Sequence, residues 1–267
     1  SDWAIYRWSV NTWVRIPQTA KDIGIAADGT VWIVDSDNVV SKYSHDKGTF
    51  TPSTQTAVAI AVDNEGGAWV INAQSQIFRQ THQHFVQTNN GVGRDIGVGA
   101  DGTVYVIGTD PTPGGYGVWR RLHQAKDWHK ISEYHGAVTL AVDTLGNPWI
   151  VDNNNHIYRW NNEESKFIRM PGAASDIGIG ADGSVWIISA VKASNGYNIR
   201  RWNNNKNQWE NVAGVANKIA VASDGKAWIS NAKGACYRWL GSKWEGLVGN
   251  AIDVGVGATG SPYMVGS

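Results

Sequence analysis

Four aspartates, Asp22, Asp95, Asp176 and Asp253, recur at matching places along the chain, and paired carboxylates are the groups that cleave glycosidic bonds. Recurrence argues against that chemistry, because a catalytic pair is assembled once in a molecule and not four times. The histidines His45, His82, His84, His123, His129, His135 and His156 show neither metal-ligand spacing nor a nucleophile context. Only His82 and His84 are close in sequence, as a solvated surface pair is. Cys236 is the single cysteine, so no internal disulfide forms. It stands in a column otherwise filled by Ile5, Val40, Ile77, Val118, Ile157 and Ile199, which makes it a buried apolar thiol. The expectation is a protein that is not an enzyme, with no catalytic residue, no metal and no cofactor.

What remains is the chemistry of binding. A basic side chain recurs as Arg7, Lys42, Arg79, Arg120, Arg159, Arg201 and Arg238, and the residue after it is Trp8, Tyr43, Gln80, Arg121, Trp160, Trp202 or Trp239. The second column tolerates Gln and Arg, which a fully buried position rarely does. It is therefore expected to be exposed and able to stack aromatic faces on sugar C–H surfaces. Two accounts of the basic column stand side by side. The cations bridge each repeat to a carboxylate or carbonyl of its neighbour, or they line seven related pockets closed by Asp35, Asn72, Asp152 and Asn231. Asp22 is expected on the same face as Asp35.

These columns exist because the chain is a repeat. Gly29-Thr30-Val31-Trp32, Gly66-Gly67-Ala68-Trp69, Gly102-Thr103-Val104-Tyr105, Gly146-Asn147-Pro148-Trp149, Gly183-Ser184-Val185-Trp186, Gly225-Lys226-Ala227-Trp228 and Gly260-Ser261-Pro262-Tyr263 share one pattern of Gly, two residues, then an aromatic. Five residues before each glycine stands a tiny residue between aliphatic ones: Gly24, Ala61, Gly97, Ala141, Gly178, Ala220 and Gly255. Successive tiny residues are 37, 36, 44, 37, 42 and 35 apart, and counting from Gly255 through the end and on from residue 1 to Gly24 gives 36. The wrap is one repeat long.

Each unit holds four short strand signals, the first two meeting at an Ala-Asp-Gly turn, and the aromatic of the second strand is expected in the core. A linear array has no reason to split one unit between its ends, whereas a ring does, because the shared unit removes the exposed edges. The fold expected is all-β: a closed seven-bladed β-propeller of four-stranded blades, one of them shared between the N- and C-termini. It forms a single domain over 1–267 with units at about 22–57, 58–94, 95–137, 138–175, 176–217, 218–251, and 252–267 plus 1–21. Units three and five carry insertions, Thr109 to Gly117 and Ser189 to Asn198, rich in Gly, Pro, Ser and Asn and expected to be loops.

Lys plus Arg and Asp plus Glu number 23 each, so no net field attracts nucleic acid or anionic lipid. No apolar run is long enough to span a bilayer, and the first residues lack the features of a signal peptide, although one already removed leaves no trace. A soluble monomer is expected, cytoplasmic or secreted without disulfides. Units reading D-I-G-I-G-A-D-G-S-V-W-I-I, then I-Y-R-W, then a Trp or Phe opening the last strand, resemble tectonin repeats over the whole chain. The resemblance implies a lectin-like propeller that binds glycans on microbial or other foreign surfaces, some members preferring methylated sugars, and the same repeats also serve as interaction modules. The expectation is a multivalent carbohydrate-binding protein, the alternative a protein-interaction scaffold without glycan binding.

Overall fold

The computed structural model describes residues 3–9, 12–26, 28–82, 84–194, 196–256 and 262–266. Gly260 and Ser261 of the seventh motif, Asn195 of the second insertion and the Asp253 side chain lie outside that description. Every regular element among the described residues is a strand, and no helix is long and apolar enough to cross a membrane.

Unit one shows the pattern. Asp22–Ile25, Val31–Val34, Val39–Ser44 and Thr49–Thr56 pair antiparallel in chain order. The turn between the first two strands is closed by the Asp28 carboxylate, which accepts from the backbone N–H of Thr30, and by Gly29 at φ 86°, a left-handed conformation that suits glycine. Units two and three are likewise four-stranded sheets. Units four and five are joined because Lys166–Ile179 runs unbroken from the last strand of one into the first strand of the other. It pairs with His156–Asn161 at one end and with Val185–Ala193 at the other. Trp244–Val256 does the same between units six and seven.

The two ends of the chain meet in one sheet, as the wrap of the repeat predicts. Ala4–Ser9 pairs with Pro262–Gly266, Ile5 opposite Val265 and Arg7 opposite Tyr263, and Thr12–Thr19 adds the outer strand. The first strands touch in succession: Asp22–Ile25 contacts Ala59–Val62, and so on until Trp244–Val256 contacts Asp22–Ile25 again. Their last aliphatic residues, Ile25, Val62, Val98, Val142, Ile179, Val221 and Val256, line one cavity of about 220 Å³.

The tiny column has a specific seat. A Cβ on Gly24 would lie 2.6 Å from Val62 Cγ2, one on Gly178 2.9 Å from Val221 Cγ2, and one on Gly255 3.0 Å from Ile23 Cγ2. Each first strand thus leaves a hole that receives the aliphatic side chains of the next unit, and a larger residue would push the two units apart. The second-strand aromatics Trp32, Trp69, Tyr105, Trp149, Trp186, Trp228 and Tyr263 are all buried, as expected of a core wedge.

One expectation is corrected. The insertions are not irregular loops: they prolong the second and third strands into longer hairpins, with Pro111 opposite Tyr116 in unit three and Lys192 opposite Tyr197 in unit five. Tyr116 is held under the Arg94 guanidinium, 4.1 Å from the ring centroid, and bridges to Ala137, which gives the longer ribbon partners that a free loop lacks.

Candidate functional site

The basic column and the second-strand aromatics face each other across the sheet. Register places Lys42 opposite Trp32, Arg79 opposite Trp69, Arg120 opposite Tyr105, Arg159 opposite Trp149, Arg201 opposite Trp186, Arg238 opposite Trp228 and Arg7 opposite Tyr263. Five of these cations lie over the ring itself, between 5.2 and 5.5 Å from its centroid. Arg120 and Arg7 instead interact with the hydroxyls of Tyr105 and Tyr263. Among the described residues no ion pair joins one of these cations to a neighbouring unit, as the sequence allowed. The carboxylates that meet these cations belong to the same unit, Asp63 at 3.9 Å from Arg79, Asp143 at 3.7 Å from Arg159, and Glu245 beside Arg238.

Beyond the cation, the structure opens a recess. Between units four and five a cavity of about 570 Å³ is lined by Asn147, Arg159, Trp160, Asn161, Asn162, Glu163, Ile168, Met170, Trp202, Asn204 and Asn207. A second, of about 340 Å³, shares Trp202 and Asn204 with it and adds Asp182, Gly183, Ser184, Arg201, Asn203, Asn205 and Glu210. Both lie where the turn between strands one and two meets the turn between strands three and four. Asp35 and Asp152 sit at the other end of the blade, so the expectation that their loop closes the pocket over the basic residue is corrected. They are turn formers: Asp35 Oδ1 accepts from the N–H of Asp37 and Val39, and Asp152 Oδ1 from Asn154 and His156.

A chain of hydrogen bonds organises the larger recess. Trp160 Nε1 donates to Asn162 Oδ1 at 2.9 Å, the Asn162 amide donates to Asn147 Oδ1, and the Asn147 amide donates to Asp143 Oδ2 at 3.3 Å. Asp143 Oδ2 also accepts from Trp149 Nε1 at 3.3 Å and faces Arg159, so the guanidinium, the amides and both indoles are held in one network. The amide side chains escaped the sequence reading. Their signal was the Asn161-Asn162 pair and the Asn203-Asn204-Asn205 run directly after the third strand, which a turn also favours.

The exposure expected of the Trp8, Tyr43, Gln80, Arg121, Trp160, Trp202 and Trp239 column is corrected at Tyr43, Trp160 and Trp202, which are buried, while Trp8 and Trp239 are half-buried. Each of these rings meets the aromatic that opens strand four, edge to face: Trp8 with Trp13, Tyr43 with Phe50, Trp160 with Phe167, Trp202 with Trp209 and Trp239 with Trp244. The pair then packs on the second-strand ring of the preceding unit, as Trp8 and Trp13 do on Trp228, and Trp239 and Trp244 on Trp186. Arg121 takes that place in unit three, 5.0 Å from the centroid of Trp69. A guanidinium plane covers an indole face as an aromatic does, which is why Arg is tolerated at a packed position.

The recurring aspartates are fastenings between units. Asp22 accepts from Ile23 N–H and from Ile60 N–H of the next unit, Asp176 from Ile177 and Ile219, and Asp95 from Ile96 and Leu140. Burial pushes the Asp95 carboxyl up to about 6, against the two backbone bonds that favour its charge. Burial likewise lifts the Cys236 thiol to about 11, consistent with an unreactive core residue. Among the described residues no group of three or more His, Cys, Asp and Glu side chains is placed to hold a metal.

Antiparallel four-stranded sheets following one another with their first strands in contact are the architecture of a β-propeller. The family model described as Tectonin domain matches residues 56–243, most of the chain, and the protein belongs to that family. No curated protein matches it. Among solved structures it is similar to a chain of the structure described as YCF48 bound to D1 peptide, with 15% identity, TM-score 0.69, and coverage of 95% of this chain and 96% of that one. It is also similar to a chain of Kuenenia stuttgartiensis hydrazine synthase, with 12% identity, TM-score 0.65, and coverage of 95% and 94%. At these identities the likeness is one of fold.

Proposed function

We propose that the protein is a closed seven-bladed propeller, one blade shared by the two ends of the chain, whose inter-blade recesses bind saccharides without catalysis. Closure is supported by the axial cavity, to which all seven first strands contribute a residue. The observation that carries the functional reading is the recess between units four and five, where Asn147, Asn161, Asn162, Asn204 and Asn207 surround Arg159 above Trp160 and Trp202. Amides and guanidinium present fixed donors and acceptors that match vicinal hydroxyls, and the indole edges with Ile168 and Met170 supply apolar floor for a sugar ring. The neighbouring recess on unit five repeats the theme, so affinity is gained by engaging several copies of a surface glycan at once.

A non-catalytic role is supported by the occupation of Asp22, Asp95 and Asp176 with backbone N–H groups, which removes them as acid and base. A recognition role toward glycan-bearing surfaces is in keeping with that multivalency, and membership of the tectonin family is what suggests foreign ones. The second reading, a propeller that engages a peptide, has in its favour the apolar recess of about 270 Å³ lined by Val215, Ile229, Tyr237 and Trp244. A glycan array with competing monosaccharide separates the two. Binding that free sugar abolishes supports the lectin, and a folded protein that retains no glycan overturns it.

A further inference from the structure

The groove between units two and three has the same backbone register as the one between units four and five and a different chemistry. Trp69 there carries a guanidinium from each unit, Arg79 at 5.2 Å and Arg121 at 5.0 Å from the ring centroid. On Trp186 the partner of Arg201 from the next unit's third strand is the aromatic Trp239; on Trp69 that place is taken by Arg121, with Trp128 edge-on to the same ring. Two like charges are thus held on one indole. Burial, and next the charge of Arg79, hold the Arg121 pKa below its ordinary value, so the two cations repel across a partly desolvated groove.

The counter-charge is thin. Asp63 approaches Arg79 only at 3.9 Å, and it is already committed through Oδ1 to the N–H of Glu65 and Gly67 and through Oδ2 to Trp69 Nε1. Asp127 acts on Arg121 only through its charge. The Nε of both arginines is buried without a hydrogen-bond acceptor among the described residues, as is that of Arg159, whereas Arg238 in unit six is held by Glu245 through both Nε and Nη2; what sets this place apart is that two such arginines share one ring. The link from strand three to strand four of unit two also holds no carboxylate, reading His82-Gln83-His84 where unit four reads Asn162-Glu163-Glu164 at the same distance from the basic column. Arg79 keeps 30% of its side chain exposed and Arg121 is half-buried, so a small group can reach both.

We infer that Arg79 and Arg121, stacked on Trp69, form an oxyanion subsite that takes the sulfate or carboxylate group of an acidic ligand, borne by a saccharide if the recesses bind sugars as proposed above. A planar guanidinium pair matches the oxygens of either group in a forked geometry, and the anion relieves the repulsion that the bare site contains.

The test uses the whole chain and Arg121→Trp, which installs the residue that Trp8, Trp160, Trp202 and Trp239 supply at this position, with Arg121→Gln as a second variant that copies Gln80. Inorganic sulfate at matched ionic strength against chloride is expected to raise the Tm of the wild type by more than that of either variant, the shared part being the general exclusion of sulfate from protein surface. Galactose 6-sulfate and galacturonic acid are expected to bind at least tenfold more tightly than galactose, and the variants to reduce that ratio to about one. Sulfate binding that the variants lose, with no saccharide of any charge bound, keeps the anion subsite with a free anion as its ligand and removes the lectin reading. Galactose binding with a wild-type ratio of one and no sulfate effect overturns the subsite and leaves the lectin reading standing. A sulfate effect as large in a folded Arg121→Trp protein as in the wild type also overturns it.

Discussion

The wall of the cavity between the first strands and the grooves toward the outer turns are built from the same repeats, yet they vary to different degrees. Along the wall the side chains are uniformly Ile or Val, and the residues that receive them are uniformly Gly or Ala. In the grooves the group lying on the second-strand ring is Trp239 on Trp186, Trp8 on Trp228, Phe85 on Trp32 and Arg121 on Trp69. The difference is one of neighbours. A wall residue is enclosed by two other copies of its own strand, so a change of size is felt on both sides. A groove residue meets a flat ring on one side and water on the other, and any group with an apolar or cationic face fits there.

The largest effect expected of this contrast is at the wedge between units. Trp186→Ala removes a fully buried ring that carries Arg201 and meets Trp239 and Trp244 edge to face, and it should cost about 3–5 kcal/mol in chemical denaturation. Arg121→Trp exchanges one ring cover for another and should change stability by less than about 1.5 kcal/mol. Equal losses in the two would mean that groove and core are not distinct.

Next is the wall itself. Gly178→Val places atoms against Val221 Cγ2, already 2.9 Å from an added Cβ, and against Ile219, and should cost about 1–3 kcal/mol. Its saccharide affinity per folded molecule should be unchanged, because the neighbours an added side chain at Gly178 meets, Val221 and Ile219, line neither recess. Loss of affinity in a protein that melts cooperatively would show the wall to be part of the site.

Much of this was legible from the chain alone. The period, the wrap, the tiny column and the buried second-strand aromatics follow from a residue being packed against copies of itself, which leaves the same mark seven times. The third-strand column was misread because tolerance of Gln80 and Arg121 was equated with exposure, a rule that fails where the packing partner is an aromatic face. Replacing Trp160 and Trp202 would therefore disturb the core as well as the recess floor they line. Asn147, Asn162 and Asn204 went unseen for another reason: asparagine in a tight turn is explained by the turn itself, and only the convergence of turns from two units turns it toward a ligand.

A smaller effect separates the fastening aspartates by pH. Asp95 has its pKa raised to about 6 in the folded protein by burial, above the ordinary carboxylate value of the unfolded chain. Its protonated form is thus favoured by folding, and the stability so contributed is complete below about pH 4 and lost as pH rises through about 6. In Asp95→Asn the group is neutral throughout, and one of the two N–H partners, Ile96 or Leu140, faces an amide donor. The variant should be the less stable at pH 4, and the gap to the wild type should narrow toward pH 7 by roughly 1.4 kcal/mol per unit across the window. Denaturant melts of both proteins at several pH values decide it, and a gap that widens with pH would show that the charged form of Asp95 is the one the fold prefers.

The smallest effect on stability belongs to the residue on which the binding reading leans most. Asn204 is exposed, lies in the turn after the third strand of unit five, and lines both the recess of about 570 Å³ and that of about 340 Å³. Unlike Asn203, whose oxygen accepts from Lys206 N–H and whose amide donates to Glu210, its side chain makes no hydrogen bond that closes the turn among the described residues. Asn204→Ala should therefore stay within about 0.5 kcal/mol of the wild type. If the recesses hold sugar, the same change removes an amide from two sites at once, and binding to a densely glycosylated surface should fall by more than the change at a single monovalent contact, since avidity multiplies the loss. Asn203→Ala is the counterpart: it opens the turn, lowers the melting temperature, and touches only the smaller recess. A groove that recognises ligand predicts the larger binding loss in the more stable of the two variants. A binding loss that follows stability instead would assign both asparagines to the architecture of the turn.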